Sequence, residues 1–132
     1  MDEVAASDFE WWRNRIRKSK ELYDLFRIDH IVGFFRTWIV PHDRSKKPDF
    51  DITEERLQKQ RGKKFLQMVL DSACPALAVG EDLGVIPPFV RETMAQLSIP
   101  GYKIMKWEKD WEKNRNLYLD PSRYPAVSLA TT

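Results

Sequence analysis

A single cysteine in 132 residues excludes an internal disulfide and any cysteine-rich zinc site. That residue, Cys74, sits in the apolar setting Ala73-Cys74-Pro75-Ala76 and is expected to be a buried, inert thiol. Glycine is scarce as well. The five glycines are isolated and form no glycine-rich loop after any apolar run, which removes the dinucleotide-binding and P-loop readings. No hydrophobic run approaches the roughly 20 residues of a membrane-spanning helix, and the first residues are acidic and polar where a secretory leader is basic and then apolar. The cytoplasm is therefore the expected location, with no membrane partner. A surplus of charge is missing too: 22 basic against 20 acidic residues leave a net charge of +2, too little to draw nucleic acid in general. Arg13, Arg15, Arg17, Lys18 and Lys20 do cluster, but on one helix with an intact apolar stripe, which favours a solvated face over a phosphate-binding patch.

What is present is the composition of a packed domain: 42% of the residues are apolar, and there are five tryptophans. A helix is expected to run from Ser7 or Asp8, as cap, to about Leu22, with Phe9, Trp12, Ile16 and Leu22 or Tyr23 as its apolar stripe. The apolar run from Leu25 to Asp29 follows as a strand. After Pro41 the stretch from His42 to Ile52 has no periodicity and reads as a long surface loop, a length that favours a substrate-side excursion over a plain connector. A second helix from Thr53 to Ser72 turns Leu57, Phe65, Met68, Val69 and Ala73 inward, with Gly62 weakening its first half.

Ala76-Leu77-Ala78-Val79 has the continuous apolar pattern of a strand buried on both faces of a parallel sheet. Pro87 and Pro88 open a third helix that buries Val90, Met94 and Leu97 and closes at Pro100-Gly101. Tyr102 to Met105 is a third strand, a charged and aromatic loop from Trp107 to Tyr118 follows, and Tyr124 to Ala130 is a fourth strand. Alternating helices and apolar strands predict an α/β fold with a parallel sheet, right-handed crossovers and a ligand site at the carboxyl ends of the strands. A doubly wound sheet and part of a (β/α)8 barrel both fit.

The strand ends carry the chemistry. Arg27 and Asp29 are two residues apart, so on an extended backbone they share one face while Phe26 and Ile28 take the other. If Asp29 and Glu81 end neighbouring parallel strands, about 4.8 Å apart, their carboxyl groups can face each other at about 5–5.5 Å, the separation of a retaining glycosidase. Arg27 would then keep Asp29 ionised, whereas Glu81 would need apolar surroundings, or the nearby charges of Asp82 and Asp29, to hold a proton. Trp38, Trp107 and Trp111 suit the flat faces of sugar rings, although plain packing explains each of them equally well.

These stretches resemble a known family, the 4-alpha-glucanotransferases (amylomaltases, or disproportionating enzymes) of the alpha-amylase-like clan. Leu25-Phe26-Arg27-Ile28-Asp29-His30 with Gly33-Phe34 looks like the family's nucleophile strand, and Val79-Gly80-Glu81-Asp82-Leu83-Gly84-Val85-Ile86 like its acid/base strand. Pro100-Gly101-Tyr102-Lys103-Ile104-Met105 resembles the strand after it, and the likeness runs from Trp11 to Thr132. The resemblance implies transfer of glucan segments between alpha-1,4-glucans, with Asp29 as nucleophile and Glu81 as acid/base. It further implies that Arg27 and His30 hold the nucleophile and touch sugar hydroxyls, that Asp82 supports the substrate site, and that neither metal nor organic cofactor is needed.

One part of the family's pattern is missing. Its third carboxylate, an Asp after a Thr-His type sequence, would follow Ala130-Thr131-Thr132. A full barrel takes about 250 residues. Residues 1–132 are therefore expected to form one segment of the catalytic barrel, about strands four to seven with the intervening helices. Such a segment leaves sheet edges open, from which self-association of the chain is expected. The alternative to an enzyme is an incomplete half-barrel that only binds glucan or assembles.

Overall fold

The computed structural model describes residues 8–132, apart from the side chains of residues 114–116. Helix α1 (Glu10–Leu22) leads into strand β1 (Leu25–Ile28), and a 3-10 turn (Ile31–Phe34) leads out of it. Helix α2 (Glu55–Ala73) returns the chain to strand β4 (Leu77–Gly80), and β1 and β4 pair in parallel from Leu25 opposite Leu77 to Ile28 opposite Gly80. Helix α3 (Pro88–Gln96) then leads to β5 (Gly101–Ile104), which pairs in parallel with β8 (Ser128–Thr131). The two ladders meet where the Gly80 N–H donates to the Pro100 carbonyl, at 2.9 Å. The order of parallel strands is thus the order of the sequence, with helices α2 and α3 as the crossovers.

The helix-facing side of β1 and β4 is apolar because the alternation places Ile28 and Ala78 there. They join Ile16 of α1, Phe65, Leu66 and Val69 of α2, and Val90 and Met94 of α3 in one core. Phe34 stacks flat on Phe65, with ring centroids 3.8 Å apart, and Trp12 meets both rings edge-on. Gly62 has no side chain for a packing reason: a Cβ there would overlap the buried Phe35 ring.

Several expectations are corrected. Phe9, not Asp8, stands at the N-cap of α1, in the left-handed region at φ 57°, and Ser7 lies outside the described residues. Glu54, not Thr53, holds that place for α2, without a side-chain cap bond. Leu22 and Tyr23 fall off the apolar stripe into solvent, since the chain already leaves the helix there for β1. The stretch read as a loop contains β3 (Asp49–Phe50), which pairs antiparallel with β2 (Trp38–Ile39), so the loop over residues 42–48 is the tip of a hairpin. Likewise β6 (Lys109–Asp110) and β7 (Asn114–Tyr118) form an antiparallel ribbon in the charged aromatic stretch. The last strand is shorter than expected and begins at Ser128, after the Pro121–Arg123 turn and Tyr124-Pro125. Leu77 is exposed, so burial on both faces holds only for Ala78 to Gly80. Cys74 is exposed, because α2 ends at Ala73 and the thiol falls past the last buried turn. No helix among the described residues is long and apolar enough to cross a membrane.

Candidate functional site

The β1–β4 ladder extends one step beyond its last strand pair. The Glu81 N–H donates to the Ile28 carbonyl at 2.8 Å, and the Glu81 carbonyl accepts the Ile31 N–H at 3.0 Å. Asp29 and Glu81 therefore leave adjacent parallel strands side by side, at the carboxyl ends.

Asp29 is exposed and pairs with Arg27, as a side-chain period of two requires. The Asp29 hydrogen bond is the foremost of the effects that raise the Arg27 pKa, with the charges of Asp29, Tyr102 and Glu81 adding to it and partial burial opposing it. The Arg27 guanidinium also lies 5.2 Å from the centre of the Tyr102 ring, which ties β1 to β5 across the intervening β4.

Both oxygens of Glu81 accept backbone N–H groups, from His30 at 2.9 Å and from Leu83 at 2.8 Å. The immediate partners of this carboxylate are thus amides, where apolar surroundings or the nearby charges of Asp82 and Asp29 were expected to act on it. His30 reaches it because its backbone is left-handed, at φ 49°. That turn lays the imidazole over Gly33, where a Cβ would come within 2.9 Å of the ring. The two-residue gap between His30 and Gly33 thus has a steric reason.

Asp82 is buried and fully engaged. Its carboxylate accepts the Tyr102 N–H at 2.7 Å and the Arg91 Nε–H at 2.8 Å. Arg91 and the role of Gly101 beneath Asp82 were not legible in the sequence, since nothing in the spacing of Arg91 on α3 ties it to an acid nine residues earlier. Beside Asp29, a groove of about 390 Å³ opens between α1 and β1, lined by Trp11, Trp12, Tyr23, Phe26 and Arg27. Trp38 stands exposed on the hairpin with its ring 4.9 Å from Phe50, and Trp107 and Trp111 are exposed further along. Among the described residues no three His, Cys, Asp or Glu side chains are grouped so as to hold a metal ion.

The chain is thus a mixed α/β fold with two acids leaving adjoining parallel strands, and comparisons with known proteins give its family. The chain belongs to the 4-alpha-glucanotransferase family, whose model matches residues 1–132. It is 35% identical over 131 residues to the 4-alpha-glucanotransferase of Chlamydia pneumoniae, covering 99% of this chain and 24% of that protein. It is 32% identical over 125 residues to the 4-alpha-glucanotransferase of Thermus thermophilus, covering 95% and 24%. Among solved structures, amylomaltase from Streptococcus agalactiae in complex with acarbose superposes with a TM-score of 0.64 at 26% identity, covering 98% of this chain and 25% of that one. Amylomaltase from Corynebacterium glutamicum shares the fold at the same TM-score and 21% identity, covering 98% and 18%. The chain spans about a quarter of the length of the curated relatives it matches.

Proposed function

We propose that residues 1–132 are the segment of a 4-alpha-glucanotransferase (β/α)8 barrel that carries about strands four to seven, and that the reaction's nucleophile and acid/base lie on it. The observation that carries this is the extension of the β1–β4 ladder through Asp29 and Glu81. Paired strands are about 4.8 Å apart, close to the roughly 5–5.5 Å that a retaining mechanism needs between its carboxyl groups.

In the first step an Asp29 oxygen attacks the anomeric carbon of an alpha-1,4-glucan while the glycosidic bond breaks, and Glu81 gives its proton to the leaving 4-oxygen. In the second, Glu81 takes the proton of an acceptor's 4-hydroxyl as that oxygen attacks the same carbon and releases the Asp29 carboxylate. Arg27 orients Asp29, and His30, held left-handed beside Glu81, meets the sugar hydroxyls. Asp82 supports the site from beneath, since its carboxylate is already occupied. The substrate is an alpha-1,4-glucan or maltooligosaccharide, and no cofactor takes part. A cytoplasmic setting goes with this reading, in keeping with a lone cysteine that offers no internal disulfide.

The test is disproportionation of maltotriose by the barrel completed with the flanking strands of the Chlamydia pneumoniae relative. Glucose release should fall by about 10³-fold or more in Asp29→Asn and in Glu81→Gln, with the melting transition retained. Release that survives either change, or a cooperatively folded parent with no release, overturns the reading.

A second reading, that the 132-residue chain by itself only binds glucan or self-assembles, is favoured by the exposure of Leu25 and Leu77 on paired strands and by the fully solvated Val85. Light scattering decides it: a monodisperse monomer at micromolar concentration that does not bind maltooligosaccharide would sink it.

A further inference from the structure

Three donors converge on the residue that follows Glu81. The Tyr102 N–H, at the start of β5, reaches Asp82 Oδ1 at 2.7 Å, and Arg91 Nε–H, from α3, reaches Oδ2 at 2.8 Å. The second arm of the same guanidinium donates to the Asp82 carbonyl at 2.8 Å. Gly101 lies directly beneath, where a Cβ would come within 2.7 Å of Oδ1, so only glycine leaves room for the carboxylate at this depth. These contacts join β4, α3 and β5 within the chain itself.

We infer that Arg91 is a positioning residue for Glu81 and acts through Asp82. Glu81 is held on one side by the ladder to β1, through its own N–H and carbonyl. On the other side its backbone continues into Asp82, whose carbonyl and carboxylate Arg91 grips together. The side chain of Glu81 is aimed by these two anchors and by the N–H groups of His30 and Leu83. If Arg91 lets go, Asp82 keeps only the Tyr102 N–H on that side and its carbonyl loses its side-chain anchor, so the Glu81 carboxylate loses the orientation that proton transfer to a glycosidic oxygen requires. The Asp82 side chain is 6% exposed against 47% for Arg91, so the acid is the buried partner and the guanidinium is reachable from solvent.

This inference rests on the reading of Glu81 as acid/base, and the experiment separates the two. In the completed barrel, Arg91→Gln should lower kcat for maltotriose disproportionation by about 10²-fold, with KM changed less than threefold and the alkaline limb of the pH–rate profile, where Glu81 loses the proton it donates, displaced. Arg91→Lys, which keeps the charge but donates from a single nitrogen in place of the guanidinium fork, should fall between. Millimolar guanidinium should restore part of the activity of Arg91→Ala, because the vacated site is open to solvent. Arg91→Gln with a lowered melting point but wild-type kcat and pH profile well below that melting point would overturn the inference and leave Arg91 a purely structural residue. If Glu81→Gln retains activity, the acid/base reading itself fails. Loss in Glu81→Gln without loss in Arg91→Gln rejects only the positioning role.

Discussion

Arg61 of α2 grips Asp51 across the base of the β2–β3 hairpin. The guanidinium bonds both carboxylate oxygens and, through Nε and its second arm, the Phe35 carbonyl at 3.0 and 2.7 Å. Asp51 in turn accepts the Thr37 N–H at 2.8 Å, and the side chains of the pair are only 11% and 18% exposed. The base of the hairpin that closes the expected loop is therefore bound to α2.

Removing one partner of a largely buried pair leaves the other charge without compensation. Arg61→Ala should cost the chain about 3 kcal/mol in urea unfolding. Burial alone would push the Asp51 carboxyl up, but the Arg61 and Thr37 hydrogen bonds outweigh it and hold the group below its ordinary 3.8. A depressed carboxylate contributes stability above the unfolded value and loses it as the pH falls through the folded one. Asp51→Asn should thus be less stable than wild type at neutral pH, with the gap closing below about pH 4. A gap that stays constant on acidification would contradict this.

Gly62 should resist replacement. Alanine is the better helix former by about 1 kcal/mol, but its methyl would enter the Phe35 ring, and overpacking a filled core costs about 1–3 kcal/mol. Gly62→Ala is therefore expected to lower the denaturation midpoint, and Gly62→Ala combined with Phe35→Leu to recover part of the loss. A stabilised Gly62→Ala would show that the ring yields freely.

Cys74 should react as a surface thiol. The native chain is expected to release one equivalent of thionitrobenzoate from Ellman's reagent without denaturant, at the rate seen in urea to within about tenfold. Reaction only on unfolding would return the thiol to the buried state that its apolar neighbours suggest.

Local sequence carried the parallel architecture a long way. Periods of 3.6 and 2 report which face of a helix or strand is buried, so α1, α2, α3 and the strands at Leu25, Leu77 and Gly101 were legible within a few residues. So was the placing of Arg27 beside Asp29, which needs only an extended backbone. The β2–β3 hairpin was not legible, because its two-residue strands are too short to show a period and are held by Arg61, ten residues from Asp51.

By itself, then, the sequence determined the alternation of helices and strands, the acids at the strand ends and the family, all of which are written in neighbouring residues. Only the tertiary structure decided which groups those acids meet. It gave Glu81 two amides, buried Asp82 under Arg91, opened Cys74 to solvent and closed the base of a loop into a hairpin. Each of these depends on contacts closed between distant parts of the chain or on where an element stops, and neither is encoded in the periodicity of any one segment.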